Sequence, residues 1–234
     1  MTNKVQYVSG DLFIPVKDST EFSVIAHVVN NKGMWGSGFV VPLGKEYPAS
    51  KDSYLAWAEG KAPPNEAIWN PKDFEFGQVQ FVQVCDMPLV LVANMLAQTI
   101  GGVRPLGYHH LVKCMEEVGK YIVRLRDRHK VEVNIRCPLF GAGLAGGQWA
   151  FIEKLIEDCW LNRDIPVYAY YLPKFLPVDF DPSDYDPSLK SPPVDLPAIA
   201  TEPPVDLPPI KSAKANDAIT LEYEGPRDPS KTGE

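Results

Sequence analysis

An α/β layered domain with a mostly parallel sheet, followed by a proline-rich tail, is the fold class this sequence predicts. Three observations lead there. Up to Leu172, strand-like apolar segments alternate with helix-like ones, the pattern that lays helices over a parallel sheet. The unusual residues fall in three loops that follow strands, where ligand sites of such sheets lie. The chain also holds 23 prolines in 234 residues, crowded after Leu172, against an average usage of about 5%.

The elements follow in order. Residues 5–8 and 23–29 read as strands, the second an almost continuous apolar run of the buried type. Residues 38–47 and 50–59 read as helices separated by Pro48. Residues 60–76 read as irregular, because Pro63, Pro64 and Pro71 block regular structure. Residues 77–84 and 89–96 read as strands joined by a tight turn through Asp86, Met87 and Pro88. The longest helix is expected over 106–128, where Leu111, Met115, Val118, Ile122 and Leu125 recur three or four apart. Residues 131–137 form a strand, 148–160 a helix with Phe151, Leu155 and Ile156 on its apolar side, and 167–172 a last strand.

After Leu172 the character changes. Pro192-Pro193-Val194-Asp195-Leu196-Pro197 repeats as Pro203-Pro204-Val205-Asp206-Leu207-Pro208. Such composition cannot bury enough apolar surface to offset its ordering entropy, and it favours extended polyproline II. The expected organisation is a folded domain over residues 1–172 and a mostly disordered, proline-rich, acidic tail over 173–234, with Phe175, Leu176 and Phe180 lying on the domain. The tail reads either as a plain linker or as a docking arm for a protein partner with a proline-reading groove.

Charge and cysteine usage narrow the function classes. A net charge of −7 argues against nucleic acid as the main partner, since binding its backbone needs a basic face. It does not exclude one small anion held by main-chain N–H groups. Cys85, Cys114, Cys137 and Cys159 are widely spaced and read as reduced, mostly buried residues. No zinc spacing is present, no apolar run approaches the ~20 residues of a membrane span, and no signal peptide is read. No metal, cofactor or membrane is expected, and the chain is expected in the cytoplasm.

The first of the three loops is Ser9-Gly10-Asp11-Leu12-Phe13. An aspartate just past a strand can accept from an amino group such as adenine N6, or simply cap a helix or turn. The second is Asn30-Asn31-Lys32-Gly33-Met34-Trp35-Gly36-Ser37-Gly38. Its glycines let a backbone approach a ligand closely, and Trp35 at its tip could stack on or wall off a sugar; plain turn chemistry is the alternative. The third runs through Gly141-Ala142-Gly143-Leu144-Ala145-Gly146-Gly147 into a helix, where unpaired amides and the macrodipole favour an anion. Its spacing matches neither a dinucleotide-binding fingerprint nor a P-loop.

Gly10-Asp11-Leu12-Phe13, His27 through Gly38, and Gly141 through Trp149 together resemble the corresponding segments of macro domains. The branch they resemble contains the yeast-type ADP-ribose 1″-phosphate phosphatase and the terminal ADP-ribose glutamate hydrolase, and the similarity spans roughly residues 4–172. The resemblance implies a three-layer α/β/α fold with a mixed, mostly parallel sheet, and an ADP-ribose-type ligand. It implies that Asp11 holds the adenine amino group with Leu12 beside it, and that Gly36, Ser37 and Gly38 line the distal ribose and its phosphate. Asn30 would face that ribose, the stretch from Gly141 to Ala145 would wrap the diphosphate, and Tyr170 or Tyr171 would flank the adenine.

One departure bears on catalysis. The glutamate hydrolases carry an aspartate where this chain has Ala145, and a lysine on the loop that here reads Gln98-Thr99-Ile100-Gly101-Gly102-Val103-Arg104. Arginine stays protonated and is a poor nucleophile. That leaves His27 as the candidate acid/base, or as a structural histidine inside the sheet. His109, His110 and His129 read as surface residues, and Arg104 could reach a phosphate from its loop. The function expected is binding of ADP-ribose or a derivative with hydrolysis of the terminal phosphate of ADP-ribose 1″-phosphate. Set against it are a non-catalytic reader or sequestering protein for ADP-ribose or NAD-derived signals, and an inert scaffold whose tail recruits a partner.

Overall fold

The computed structural model describes residues 4–18, 21–64, 67–86 and 88–185; the two proline-rich repeats lie outside the described residues. Seven strands form one sheet in the order β1-β7-β6-β2-β5-β4-β3. These are β1 (Gln6–Ser9), β2 (Phe22–Asn30), β3 (Ala67–Trp69), β4 (Val79–Asp86), β5 (Leu89–Gln98), β6 (Val133–Pro138) and β7 (Val167–Tyr171). The five strands from β1 to β5 in that order are parallel, and β4 and β3 extend the sheet antiparallel. The sheet is therefore mixed and mostly parallel, as expected.

Helices cover both faces, which is why β2 and β5 are apolar on alternating residues of both sides. On one face lie α4 (Tyr108–His129) and α5 (Trp149–Cys159), packed on Val24, Ala26, Ala93, Met95, Ile135 and Cys137 among others. On the other lie α1 (Phe13–Asp18), α2 (Val40–Glu46) and α3 (Pro48–Ala58). Helix α4 buries Leu111, Met115, Val118 and Ile122 of the stripe predicted by spacing, and Cys114 beside them, while Leu125 is partly buried. It crosses α5 closely at Gly119, where a Cβ would lie 2.7 Å from the Cys159 carbonyl oxygen.

The differences from expectation have local causes. Helix α1 was not expected; it has six residues and carries Pro15 in its first turn, where proline is tolerated. Pro48 does not merely separate α2 from α3 but opens α3 at its first position. Strand β3 lies inside the stretch expected to be irregular, its prolines flanking rather than interrupting it. Leu106 is held in a bridge to Gln98 instead of starting α4. On α5 the buried residues are Trp149, Ile152, Ile156 and Cys159, whereas Phe151 is 45% exposed; the stripe is rotated from the one expected.

The packed chain runs past Leu172. Phe180 is 4% exposed and sits among Tyr7, Trp149, Tyr171 and Tyr185, while Phe175 is 78% exposed. The Asp179 carboxylate accepts the N–H of Ala150 in the first turn of α5 (3.2 Å), where negative charge is favoured. The Tyr7 hydroxyl accepts from Trp149 Nε1 (2.9 Å) and donates to Glu153 (2.8 Å), locking β1 to α5 beside this strap.

A chain ending at Leu172 is expected to melt lower than one ending at Tyr185, because it loses a buried phenylalanine. The difference should reach about 3–5 kcal/mol. Thermal unfolding of the two truncations checks this, and equal melting temperatures would contradict it.

Candidate functional site

The loops that carry the unusual residues all leave the carboxyl ends of the five parallel strands. After β1, Gly10 takes a φ of +128° and donates its N–H to the Tyr171 carbonyl (2.9 Å). Asp11 is exposed, and its Oδ1 accepts the N–H of Phe13 (2.9 Å), capping α1. One carboxylate oxygen is committed to that turn; the other has no partner among the described residues.

The loop after β2 is knotted by Asn30. Its Oδ1 accepts the N–H groups of Lys32 (3.0 Å) and Met34 (3.1 Å), and its Nδ2 donates to the Met34 carbonyl (2.6 Å). Its own carbonyl accepts from the Tyr54 hydroxyl (2.6 Å). Asn30 is 8% exposed and shapes the loop with its whole side chain. Trp35 does not stand at the loop tip. It turns inward against His27 (5.7 Å between ring centroids) and Tyr54 (5.4 Å), and against Gly44 of α2, where any Cβ would collide with the indole nitrogen. Gly36, Ser37 and Gly38 are exposed.

The loop after β6 is held by its own main chain. Gly146 donates to the Gly143 carbonyl (2.9 Å) and Gly147 to the Gly141 carbonyl (2.8 Å). A Cβ on Gly147 would lie 2.7 Å from the Gly141 oxygen, so only glycine permits this fold-back. Ala145 is 4% exposed and its carbonyl accepts the Leu106 N–H (3.0 Å). Leu144 is 74% exposed and reaches across toward the second loop, 3.7 Å from where a Cβ on Gly38 would stand. The second and third loops thus approach each other, and the space they border is the candidate cleft.

Two rows of unpaired main-chain donors border that cleft. The N–H groups of Gly36, Ser37 and Gly38 on one side, and of Ala142, Gly143 and Leu144 on the other, donate to no acceptor among the described residues. Backbone donors left over by the fold are satisfied by water or by a ligand. Added Cβ atoms at Gly36 and Gly143 would meet nothing within 4 Å, so the chain there is open to an approaching group.

Four further residues expected at the site lie elsewhere or act otherwise. Leu12 is 3% exposed in the core under α1. Tyr170 and Tyr171 are buried, because β7 is covered on both faces; Tyr170 accepts a hydrogen bond from Arg136 (2.9 Å). The exposed aromatic beyond that strand end is Phe175, on a turn closed by its N–H to the Leu172 carbonyl (2.8 Å); it was expected to lie on the domain but stands out from it.

His27 is the fourth. It is 1% exposed and lies beneath the second loop, covered by Trp35 and Phe39. Asn94 gives its Nδ2 hydrogens to Gln80 (2.9 Å) and to the Ser50 carbonyl (3.2 Å), so its Oδ1 receives the ring N–H of His27 Nε2 (2.6 Å). Burial strips solvation from the imidazolium and lowers the pKa to about 4, with the Asn94 bond opposing. His27 is thus neutral near pH 7 and separated from the cleft by two aromatic rings.

Among the described residues no group of three or more His, Cys, Asp or Glu could hold a metal ion, and no helix is long and apolar enough to cross a membrane. The four cysteines are free.

No protein-family model matches the chain. An ADP-ribose 1″-phosphate phosphatase of Candida albicans is 21% identical over 156 residues, spanning 66% of this chain and 92% of that protein. A solved macrodomain protein from Streptomyces coelicolor is 34% identical, with a TM-score of 0.56 over 72% of this chain and 99% of that one. The macrodomain of Mycobacterium tuberculosis DarG, 16% identical, shares the fold with a TM-score of 0.54 over 71% of this chain and 96% of that one.

The depressed pKa of His27 makes a signed prediction. The unfolded chain, with a histidine value near 6.5, takes up the proton first as pH falls. The contribution to stability is whole above pH ~6.5 and lost between there and about 4, roughly 3 kcal/mol in all. Denaturant midpoints of wild type should fall more steeply across this window than those of His27→Gln; parallel curves would sink the assignment.

Proposed function

The chain belongs to the macro domain family, and from that membership we propose that it binds ADP-ribose or a close derivative in the cleft between its second and third glycine loops. The observation that carries this reading is the pair of facing rows of unpaired N–H groups, Gly36 to Gly38 and Ala142 to Leu144. A diphosphate flanked by sugars offers acceptors to both rows at once. Recognition through main-chain dipoles also fits an acidic chain, since it asks for no excess of lysine or arginine. Asp11, with one carboxylate oxygen unpartnered, stands at the end of β1 as an acceptor for the adenine amino group.

A second reading adds turnover, the removal of the terminal phosphate from ADP-ribose 1″-phosphate. It is favoured by relatives such as the Candida albicans phosphatase, at 21% identity. The geometry supports it less than binding. General acid or base catalysis needs a group within hydrogen-bond reach of the reacting atoms, and His27 is walled off by Trp35 and Phe39. In this reading the side chain assigned to His27 is a support for the second loop, and any hydrolysis rests on a water held against the cleft amides.

Calorimetry with ADP-ribose is expected to show saturable binding at one site; no heat at millimolar ligand would dispose of the cleft assignment. Phosphate release from ADP-ribose 1″-phosphate, measured in parallel on wild type and His27→Gln, separates the two readings. Binding without release leaves a reader or sequestering protein. Release retained by His27→Gln supports hydrolysis without histidine, and release abolished in a still-folded variant would return His27 to a catalytic role.

A further inference from the structure

We propose that Arg104 receives the terminal phosphate of the ligand and so selects ADP-ribose phosphorylated on its distal ribose over ADP-ribose itself. The inference rests on the cleft reading above and adds to it a side-chain cation on the loop after β5, which packs against the third loop.

The loop from Thr99 to Gly107 is sewn to its surroundings at several points. Thr99 donates its N–H to the Pro105 carbonyl (2.9 Å), Leu106 to the Ala145 carbonyl (3.0 Å) and Gly107 to the Ala97 carbonyl (2.9 Å). Gly146, at a φ of +66°, lies so close that a Cβ there would sit 3.2 Å from the Val103 oxygen and 3.4 Å from Arg104 Cα. The backbone of Arg104 therefore rides directly on the glycine loop whose amides face the cleft. Its place is set by this contact, even though Gly101 and Gly102 precede it.

The side chain is oriented as well. The guanidinium carbon lies 5.1 Å from the centre of the Tyr108 ring, and the Tyr108 hydroxyl accepts the N–H of Gln148 (2.8 Å) at the entry to α5. Arg104 is thus stacked on the tyrosine that caps the helix following the glycine loop. Stacking uses the face of the guanidinium and leaves its in-plane N–H donors for a planar or tetrahedral oxyanion. Those donors form no ion pair with a carboxylate among the described residues, and the residue is exposed. An arginine prearranged in this way, in a chain of net charge −7, fits a bidentate phosphate contact. The diphosphate, engaged by main-chain amides, has less need of it than a terminal phosphomonoester carrying nearly two charges at neutral pH.

The test compares two ligands on the full-length chain by titration calorimetry, with phosphate release monitored in the same samples. Wild type should bind ADP-ribose 1″-phosphate more tightly than ADP-ribose. R104A should lose about 10- to 100-fold in affinity for the phosphorylated ligand while keeping its affinity for ADP-ribose, with an unchanged melting temperature. R104K, which keeps the charge without the fork, should recover only part of the loss. Equal losses on both ligands would mark Arg104 as a mere support of the loop and overturn the proposal. Unchanged binding of both ligands by R104A overturns it too while leaving the cleft reading intact. Wild type binding neither ligand overturns both.

Discussion

A hydrogen-bonded ladder of buried side chains, His27–Asn94–Gln80, underlies the architecture of the site. The three residues stand opposite one another on β2, β5 and β4, all at 1% exposure or less. Gln80 Nε2 continues the chain to the Ser53 carbonyl (2.9 Å) and to Asn70, while Asn94 reaches the Ser50 carbonyl. The ladder therefore ties three strands to the first turn of α3. Replacing any member by an apolar residue would leave buried donors and acceptors unpaired, at about 1–3 kcal/mol each. A buried network of this kind favours a single register and a single docking angle for the helix, with His27 Nδ1 its one ring nitrogen without a partner among the described residues.

From that ladder the floor of the cleft follows. Trp35 and Phe39 lie on the His27 ring, Tyr54 of α3 packs on Trp35 and holds the Asn30 carbonyl, and Asn30 closes the turn above. Asn30 is consumed in building the second loop. Its glycine-serine-glycine tip is left with unpaired amides among the described residues. The same division holds in the third loop, where Gly141, Gly146 and Gly147 satisfy one another or pack against Leu106 and Arg104, and Gly143 and Leu144 are exposed. Rigid supports below and unpaired donors above are what a preorganised anion site requires.

How much of this was legible in the sequence depends on what kind of signal each residue carries. Alternation of apolar segments located every strand of the parallel sheet, because burial on both faces leaves a continuous apolar run such as the one from Val24 to Val29. The three loops were visible because glycine is costly elsewhere and marks places where backbone must turn or be approached. Residue roles inside those loops were less legible. An asparagine that knots a turn and one that faces a sugar look alike in sequence, and Trp35 reads equally as a tip or a keel. Strand β3 was hidden by the prolines that flank it, and helix α1 is too short to show a periodicity. Phe180 was expected to lie on the domain and does, but the pocket it enters beside Tyr7 and Trp149 is a tertiary fact that one aromatic without periodicity does not announce.

The same distinction bears on chemistry. A histidine preceding an asparagine pair at a strand end invites assignment as an acid/base, yet a parallel strand with helices on both faces buries whatever it carries until the chain leaves the sheet. His27 lies three residues before the end of β2, so its side chain points into the layer beneath α2 and α3 rather than over the cleft. A polar residue at that depth is affordable only when it is neutral and paired, and the Asn94 amide supplies the pairing. The surface proposed to meet the ligand is consequently mostly main chain, with Asp11 on the loop after β1 and Arg104 on the loop after β5 as the charged side chains offered to it. Main-chain amides distinguish anions from neutral groups but not one phosphate ester from another, so under the proposed function discrimination among ADP-ribose derivatives would fall to those two side chains, and a single substitution at either should alter selectivity without altering the fold.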